Sequence, residues 1–187
     1  MPWKGPEHEG DFPSLGWALL DLYADYLRVP SGPMLGAPLE LTADQATFTV
    51  RFYAIDPDTG RFLYRRGARR RAKGTGKSPH LAAFAIGELI GDTVFDGWDA
   101  DGDPVGRPRE AAWVQIAACS EDQTDNTYLA LYEMLADSAA LDEFSIDLGK
   151  TRVELRDRFG RVEPVTSAAG SREGQPITAA VLDETHL

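Results

Sequence analysis

Apolar residues recur at Leu15, Leu19, Leu22, Tyr23, Tyr26 and Leu27. That spacing turns one face of a helix toward a core, and Pro30 with the Ser31-Gly-Pro turn ends it. Thr42 followed three residues on by Gln45 is a capping-box pattern and predicts a second helix, with Phe48, Phe52 and Ile55 on its apolar face. Asp56-Pro-Asp-Thr-Gly60 reads as the turn that follows, and Phe62-Leu-Tyr64 as a short strand. Helix resumes near Ser78 through Leu81, Phe84, Ala85, Leu89 and Ile90, with Pro79 tolerated because it falls in the first turn. Residues 96–109 read as an exposed loop and Ala111 to Ala118 as a buried strand. A helix through Tyr128, Leu129, Tyr132 and Leu135 comes next. Short apolar–polar alternation from Phe144 to Val165 predicts two or three strands, and Ile177 to Leu182 a last one. The order implies an α/β fold: a mainly parallel sheet with helices on both faces.

A chain of 187 residues can bury one substantial core. The 30 acidic against 19 basic residues argue against a simple basic nucleic-acid-binding module. Positive charge is nevertheless bunched: Arg61 to Lys77 holds eight basic residues and no acidic one. The single cysteine, Cys119, excludes an internal disulfide and fits a small core residue in a reducing compartment. No run is long and apolar enough to span a membrane, and residues 1–13, rich in Pro, Gly and charge, read as a loose arm without a signal-peptide core. The expected setting is soluble and intracellular.

The chemistry concentrates in two places. Gly74-Thr-Gly-Lys-Ser78 stands at a predicted helix start, where unpaired backbone amides and the helix dipole favour an anion. Gly74 and Gly76 allow close curling around phosphate oxygens, Lys77 would reach the terminal phosphates, and the Ser78 hydroxyl would ligate magnesium. The full phosphate-loop pattern wants a glycine where this chain has Arg71; a surface turn capping a helix is the bland alternative. About a hundred residues later, Asp183 and Glu184 close an apolar strand. Asp183 would hold the metal and Glu184 would orient and deprotonate the attacking water. Arg65, Arg66, Arg69 and Arg70 could serve phosphate, DNA or ordinary surface pairing, and Arg71 is the candidate in-cis arginine. His186 has no partner cluster for a metal. Asp99, Asp101, Asp103 and Glu110 imitate a calcium loop, but Pro104 stands where the tight turn requires glycine, so a solvated acidic loop is expected.

In order along the chain, these segments resemble the ATPase domain of tailed-phage terminase large subunits. Pro38-Leu-Glu-Leu-Thr-Ala-Asp-Gln45 is similar to that family's adenine-recognition segment, which would make Gln45 the reader of the adenine edge. Arg71-Ala-Lys-Gly-Thr-Gly-Lys-Ser-Pro79 resembles its variant phosphate loop, in which a basic residue replaces the first glycine. Lys73, Gly74, Thr75, Gly76, Lys77 and Ser78 would then surround the phosphates. Ala117 to Asn126 looks like the segment after the next strand, with Ser120 and Gln123 at matching positions. Val165 to Gly174 and Val181 to His186 resemble the loop and magnesium strand before the hydrolytic glutamate. The resemblance covers about residues 35–187, leaving 1–34 as an arm and helix. It implies a P-loop NTPase fold, ATP and Mg2+ as cofactors, catalytic roles for Glu184, Arg71 and Lys77, and metal ligation by Ser78 and Asp183. It also implies portal protein, small terminase subunit and double-stranded DNA as partners of a ring homo-oligomer in the host cytoplasm. The family's coupling motif and nuclease domain are not in this sequence, so an incomplete ATPase domain is expected.

Three other possibilities stand beside this one: a nucleotide-responsive binding or assembly module without turnover, a small kinase-like transferase, and an α/β domain whose site is a relic. Hydrolysis abolished by Glu184→Gln would separate the first from the motor; phosphate passed to a second metabolite would mark the transferase.

Overall fold

The computed structural model describes residues 12–118, 121–165 and 176–183, with the side chains of 121–125 excepted. The predicted arm falls almost wholly outside this range, as do Cys119, Ser120, Glu184, His186 and the loop 166–175. Helix α1 (Gly16–Tyr26) begins where the Ser14 hydroxyl oxygen accepts the Gly16 amide, 2.9 Å. Helix α2 (Ala43–Phe52) carries the predicted capping box at Thr42 and Gln45 in full. It stops before Ile55, which is completely buried and bridges antiparallel to Phe62 instead of extending the helical face. Residues 62–64 are therefore not a strand of the sheet. The Asp56 turn, with its carboxylate accepting the Asp58 and Thr59 amides, folds them straight back onto 54–56.

Helix α3 (Lys77–Ile90) is the central helix, with Pro79 in its first turn. Residues 96–109 are not the loop their composition suggests: β1 (Val94–Trp98) and β2 (Pro104–Arg107) form an antiparallel hairpin with a bulge between Phe95 and Gly97. Its tip closes because Asp99 Oδ1 accepts the amides of Asp101 and Asp103, so the carboxylate caps its own turn. Strand β3 (Ala112–Ala118), helix α4 (Glu121–Leu135) and the single turn α5 (Ala140–Glu143) follow. Strands β4 (Ile146–Leu148), β5 (Val153–Leu155), β6 (Gly160–Val165) and β7 (Ala179–Asp183) complete the described chain.

The main sheet has the order β4-β5-β6-β3-β7 and is mixed, not mainly parallel. β6 and β7 flank β3 in parallel, whereas β4, β5 and β6 pair antiparallel. Connections of four residues, 149–152 and 156–159, join those three strands, and so short a link can only reverse the chain. Nor do helices sheathe both faces among the described residues. α3 and α4 lie side by side against β3, on the face lined by Ala112, Val114, Ile116 and Ala118. On the other face, Trp113 donates to Glu163 and lies under the Arg161 guanidinium, 3.8 Å from the ring centre. The two-residue alternation of β3 thus separates an apolar from a polar side.

Helices α1 and α2 close the apolar side, with Phe48, Phe52 and Tyr53 packed around Phe84 of α3. Gly16 permits the closest approach: a Cβ there would stand 2.6 Å from Val50 Cα and 2.9 Å from the Thr49 carbonyl oxygen. Both obstacles are backbone and cannot rotate aside. Gly16→Ala should therefore lower unfolding stability by about 2 kcal/mol, the cost of overpacking a tight contact, as a urea titration would measure. An unchanged midpoint would refute that close approach.

Candidate functional site

The loop before α3 is shaped by its glycines. Gly74 (φ 81°) and Gly76 (φ 71°) both adopt left-handed backbone, and Gly76 is the residue from which α3 starts. The Thr75 hydroxyl donates to the Ala72 carbonyl, 2.9 Å, and Lys77 Nζ donates to the Arg71 carbonyl, 3.3 Å. These bonds curl residues 71–77 into a compact arch over the first turn of the helix. From α2, Gln45 reaches the same point: its Nε2 donates to the Gly76 carbonyl, 3.2 Å, while its Oε1 accepts the Thr42 amide, 3.0 Å.

The second half of the site arrives on β7. Asp183 is its last residue, in register with Ala118 at the carboxyl ends of two parallel strands, where the start of α3 also points. The Ser78 hydroxyl donates to Asp183 Oδ2, 2.7 Å, across 105 residues of sequence. Thr127, from the middle of α4, donates to the same oxygen, also at 2.7 Å. Asp183 is only 4 % exposed and pairs with no cationic side chain among the described residues. A carboxylate and a hydroxyl side by side are hard oxygen donors, suited to Mg2+, which binds through one or two carboxylates and completes its shell with waters and phosphates. No cluster of three or more His, Cys, Asp or Glu stands among the described residues, so a fully protein-built metal cage is absent there.

A cationic network borders the arch. Arg71 donates to both oxygens of the Asp44 carboxylate, and Arg69 donates to Oδ2 as well. Those bonds, first from Arg71 and then from Arg69, hold the Asp44 carboxyl well below the usual carboxylate range. Arg69 also donates to His80 Nδ1, 3.0 Å. An arginine cannot accept, so Nδ1 carries no proton and Nε2 does. Nε2 then donates to Thr49 Oγ1, 3.1 Å, which passes its own proton to the Gln45 carbonyl, 3.0 Å. Burial, and secondarily the Arg69 charge, lowers the His80 pKa from 6.5 to about 4.

Gln45, Gly76, Lys77, Ser78 and Asp183 therefore converge, with Lys73, Gly74 and Thr75 on the exposed crest of the arch. Arg71 lies beside them but on Asp44, and Glu184 falls outside the described residues. The partners that sequence reasoning missed are Asp44, His80 and Thr127. Asp44 adjoins Gln45 and His80 follows Ser78 by two, so proximity to the motifs offered a signal; Thr127 offered none.

The fold is similar to one part of a solved phage large terminase. The chain superimposes on the large terminase of bacteriophage HK97 with a TM-score of 0.67, over 92 % of this chain and 31 % of that one, at 17 % identity. In sequence it is homologous to the Gene 13 proteins of the mycobacteriophages L5 and D29, at 35 % and 33 % identity over 92 % of its length. It spans about a third of each of those proteins, 32 % and 31 %. No protein-family model matches the chain. Among the described residues, no helix is long and apolar enough to cross a membrane.

Proposed function

We propose that the chain is an ATP-binding and hydrolysing unit of a viral DNA-packaging motor, equivalent to the first part of a terminase large subunit. The bond from Ser78 to Asp183 carries this proposal, because it joins the helix start that would hold phosphates to the strand end that would hold their metal. The arch 71–77 would open its amides to the phosphates, with Lys77 exchanging the Arg71 carbonyl for a terminal phosphate oxygen. Gln45, already on the Gly76 carbonyl, would read the adenine edge beside the arch. Ser78 and Asp183 would hold Mg2+, which supplies charge compensation to the phosphates when bound. Glu184 follows Asp183 directly and would orient and deprotonate the water. Arg71 would serve as the in-cis arginine after leaving Asp44. By the resemblance of its motifs to terminase large subunits, this unit would belong to a ring of copies acting in the host cytoplasm on double-stranded DNA, with a portal protein and a small terminase subunit; the likeness to the HK97 large terminase supports the fold of that reading.

A second function, nucleotide-responsive assembly without turnover, is favoured by one observation: Lys77 and Arg71 are both engaged within the protein. Calorimetric titration with a slowly hydrolysed ATP analogue and Mg2+ addresses the first claim. Lys77→Ala should weaken binding ten- to a hundredfold, the worth of one or two charge-assisted hydrogen bonds (about 1.5–3 kcal/mol). Equal binding by the variant, or none by the folded wild type, would refute the ATP site. Binding of the analogue together with no phosphate release from ATP itself would leave the assembly module.

A further inference from the structure

We infer that Thr127 is a positioning residue for the metal-binding carboxylate, making α4 the third element, after α3 and β7, around the metal. The inference rests on the ATP-site assignment above. A threonine inside a helix ordinarily returns its hydroxyl proton to the carbonyl one turn back, as Thr47 and Thr49 do in α2. Thr127 does otherwise. Its side chain is completely buried in α4, and its hydroxyl crosses to Asp183 Oδ2, 2.7 Å away and 56 residues later in sequence.

The bond meets a specific need. Asp183 ends its strand as a buried carboxylate without a cationic partner among the described residues, free to rotate unless something holds it. Ser78 donates to Oδ2 as well, but its hydroxyl would be called on to ligate the metal and so could not serve as the carboxylate's sole anchor. Thr127, fixed by the packing of α4 against α3 and β3, is independent of the phosphate loop. With both hydroxyls on Oδ2, Oδ1 is the oxygen that would be turned to the metal. A carboxylate preset in one rotamer binds a cation without first losing rotational freedom. Outer partners of metal ligands commonly change metal affinity ten- to a hundredfold when removed.

The test compares wild type, Thr127→Val, Thr127→Ala and Thr127→Ser, each titrated with a fluorescent ATP analogue in Mg2+ and again in EDTA. Thr127→Val should bind the analogue in EDTA within about twofold of wild type, yet lose about tenfold of the gain that Mg2+ confers. Thr127→Ser should restore most of that gain, and Thr127→Ala repeats the loss should valine hinder folding. An unchanged Mg2+ gain without the hydroxyl overturns the inference. So does a parallel loss in EDTA, or a serine variant no better than valine, since either marks Thr127 as packing alone. A wild type that binds in neither condition refutes the ATP site itself, and Thr127's role with it.

Discussion

Asp183→Asn should reduce Mg2+-dependent ATP hydrolysis by about a thousandfold while leaving the fold standing. A metal that compensates phosphate charge contributes several kcal/mol to the transition state, and each 1.4 kcal/mol is about tenfold in rate. Asparagine has the shape of aspartate, and its amide oxygen can still accept from Ser78 and Thr127 at the Oδ2 position. What disappears is the negative charge that recruits the cation. Stability should stay within about 1 kcal/mol of wild type, because both described bonds to the Oδ2 position are kept. Phosphate release measured beside a urea unfolding curve checks both halves. Turnover within tenfold of wild type would remove Asp183 from the metal site. Turnover lost together with the fold would show a structural carboxylate instead. Glu184→Gln provides the companion measurement: it should keep Mg2+-dependent binding and lose hydrolysis, separating the metal ligand from the base.

How much of this site could be read from the sequence depends on the range over which each signal acts. The capping box at Thr42 and Gln45 and the glycines before α3 are set by neighbours three or four residues away, and they emerge as expected. The strand ending at Asp183 was visible in its apolar run, with an error of one or two residues at its ends. The join of Ser78 to Asp183 was foreseeable only because two motifs occur in a known order. Other features depend on distant partners. Phe62-Leu-Tyr64 has the composition of a strand, but a strand requires a sheet neighbour, and the Asp56 turn delivers it to Ile55 instead. The hairpin 94–107 was hidden by glycine and aspartate, which here build a bulge and a self-capped turn. The mixed sheet was legible in principle, since the spacing of β4, β5 and β6 leaves room for nothing but reversals. Thr127 could not be found that way. A threonine amid α4 looks like any other until β7 brings a carboxylate to it.

As pH falls from neutrality, acid should weaken this protein through His80. The imidazole is buried at the start of α3, accepts a proton bond from Arg69 and donates one to Thr49, an arrangement only the neutral ring can satisfy. Its pKa in the fold is about 4, against 6.5 in the unfolded chain. Above 6.5 both states hold a neutral ring and the contribution is complete. As pH falls below 6.5 the unfolded chain takes up a proton that the fold refuses, so stability is lost progressively until about 4. Between pH 7 and pH 4.5 the loss from this group should be roughly 2 to 3 kcal/mol. Asp44, its carboxyl lowered chiefly by Arg71, acts in the same direction but only below the ordinary carboxylate range. Glu88 opposes both. Burial raises its carboxyl despite the bond from Tyr53, so it favours the fold more as pH falls. The wild-type curve therefore mixes opposing slopes, and a variant isolates one of them. Glutamine at position 80 can still accept from Arg69 and donate to Thr49 without titrating. His80→Gln should flatten the fall in urea-unfolding stability between pH 7 and 4.5 by most of that amount. Parallel curves for the two proteins would mean that His80 is as free to charge in the fold as outside it. The hydrogen-bonded path from Arg69 to the Gln45 carbonyl would then not exist.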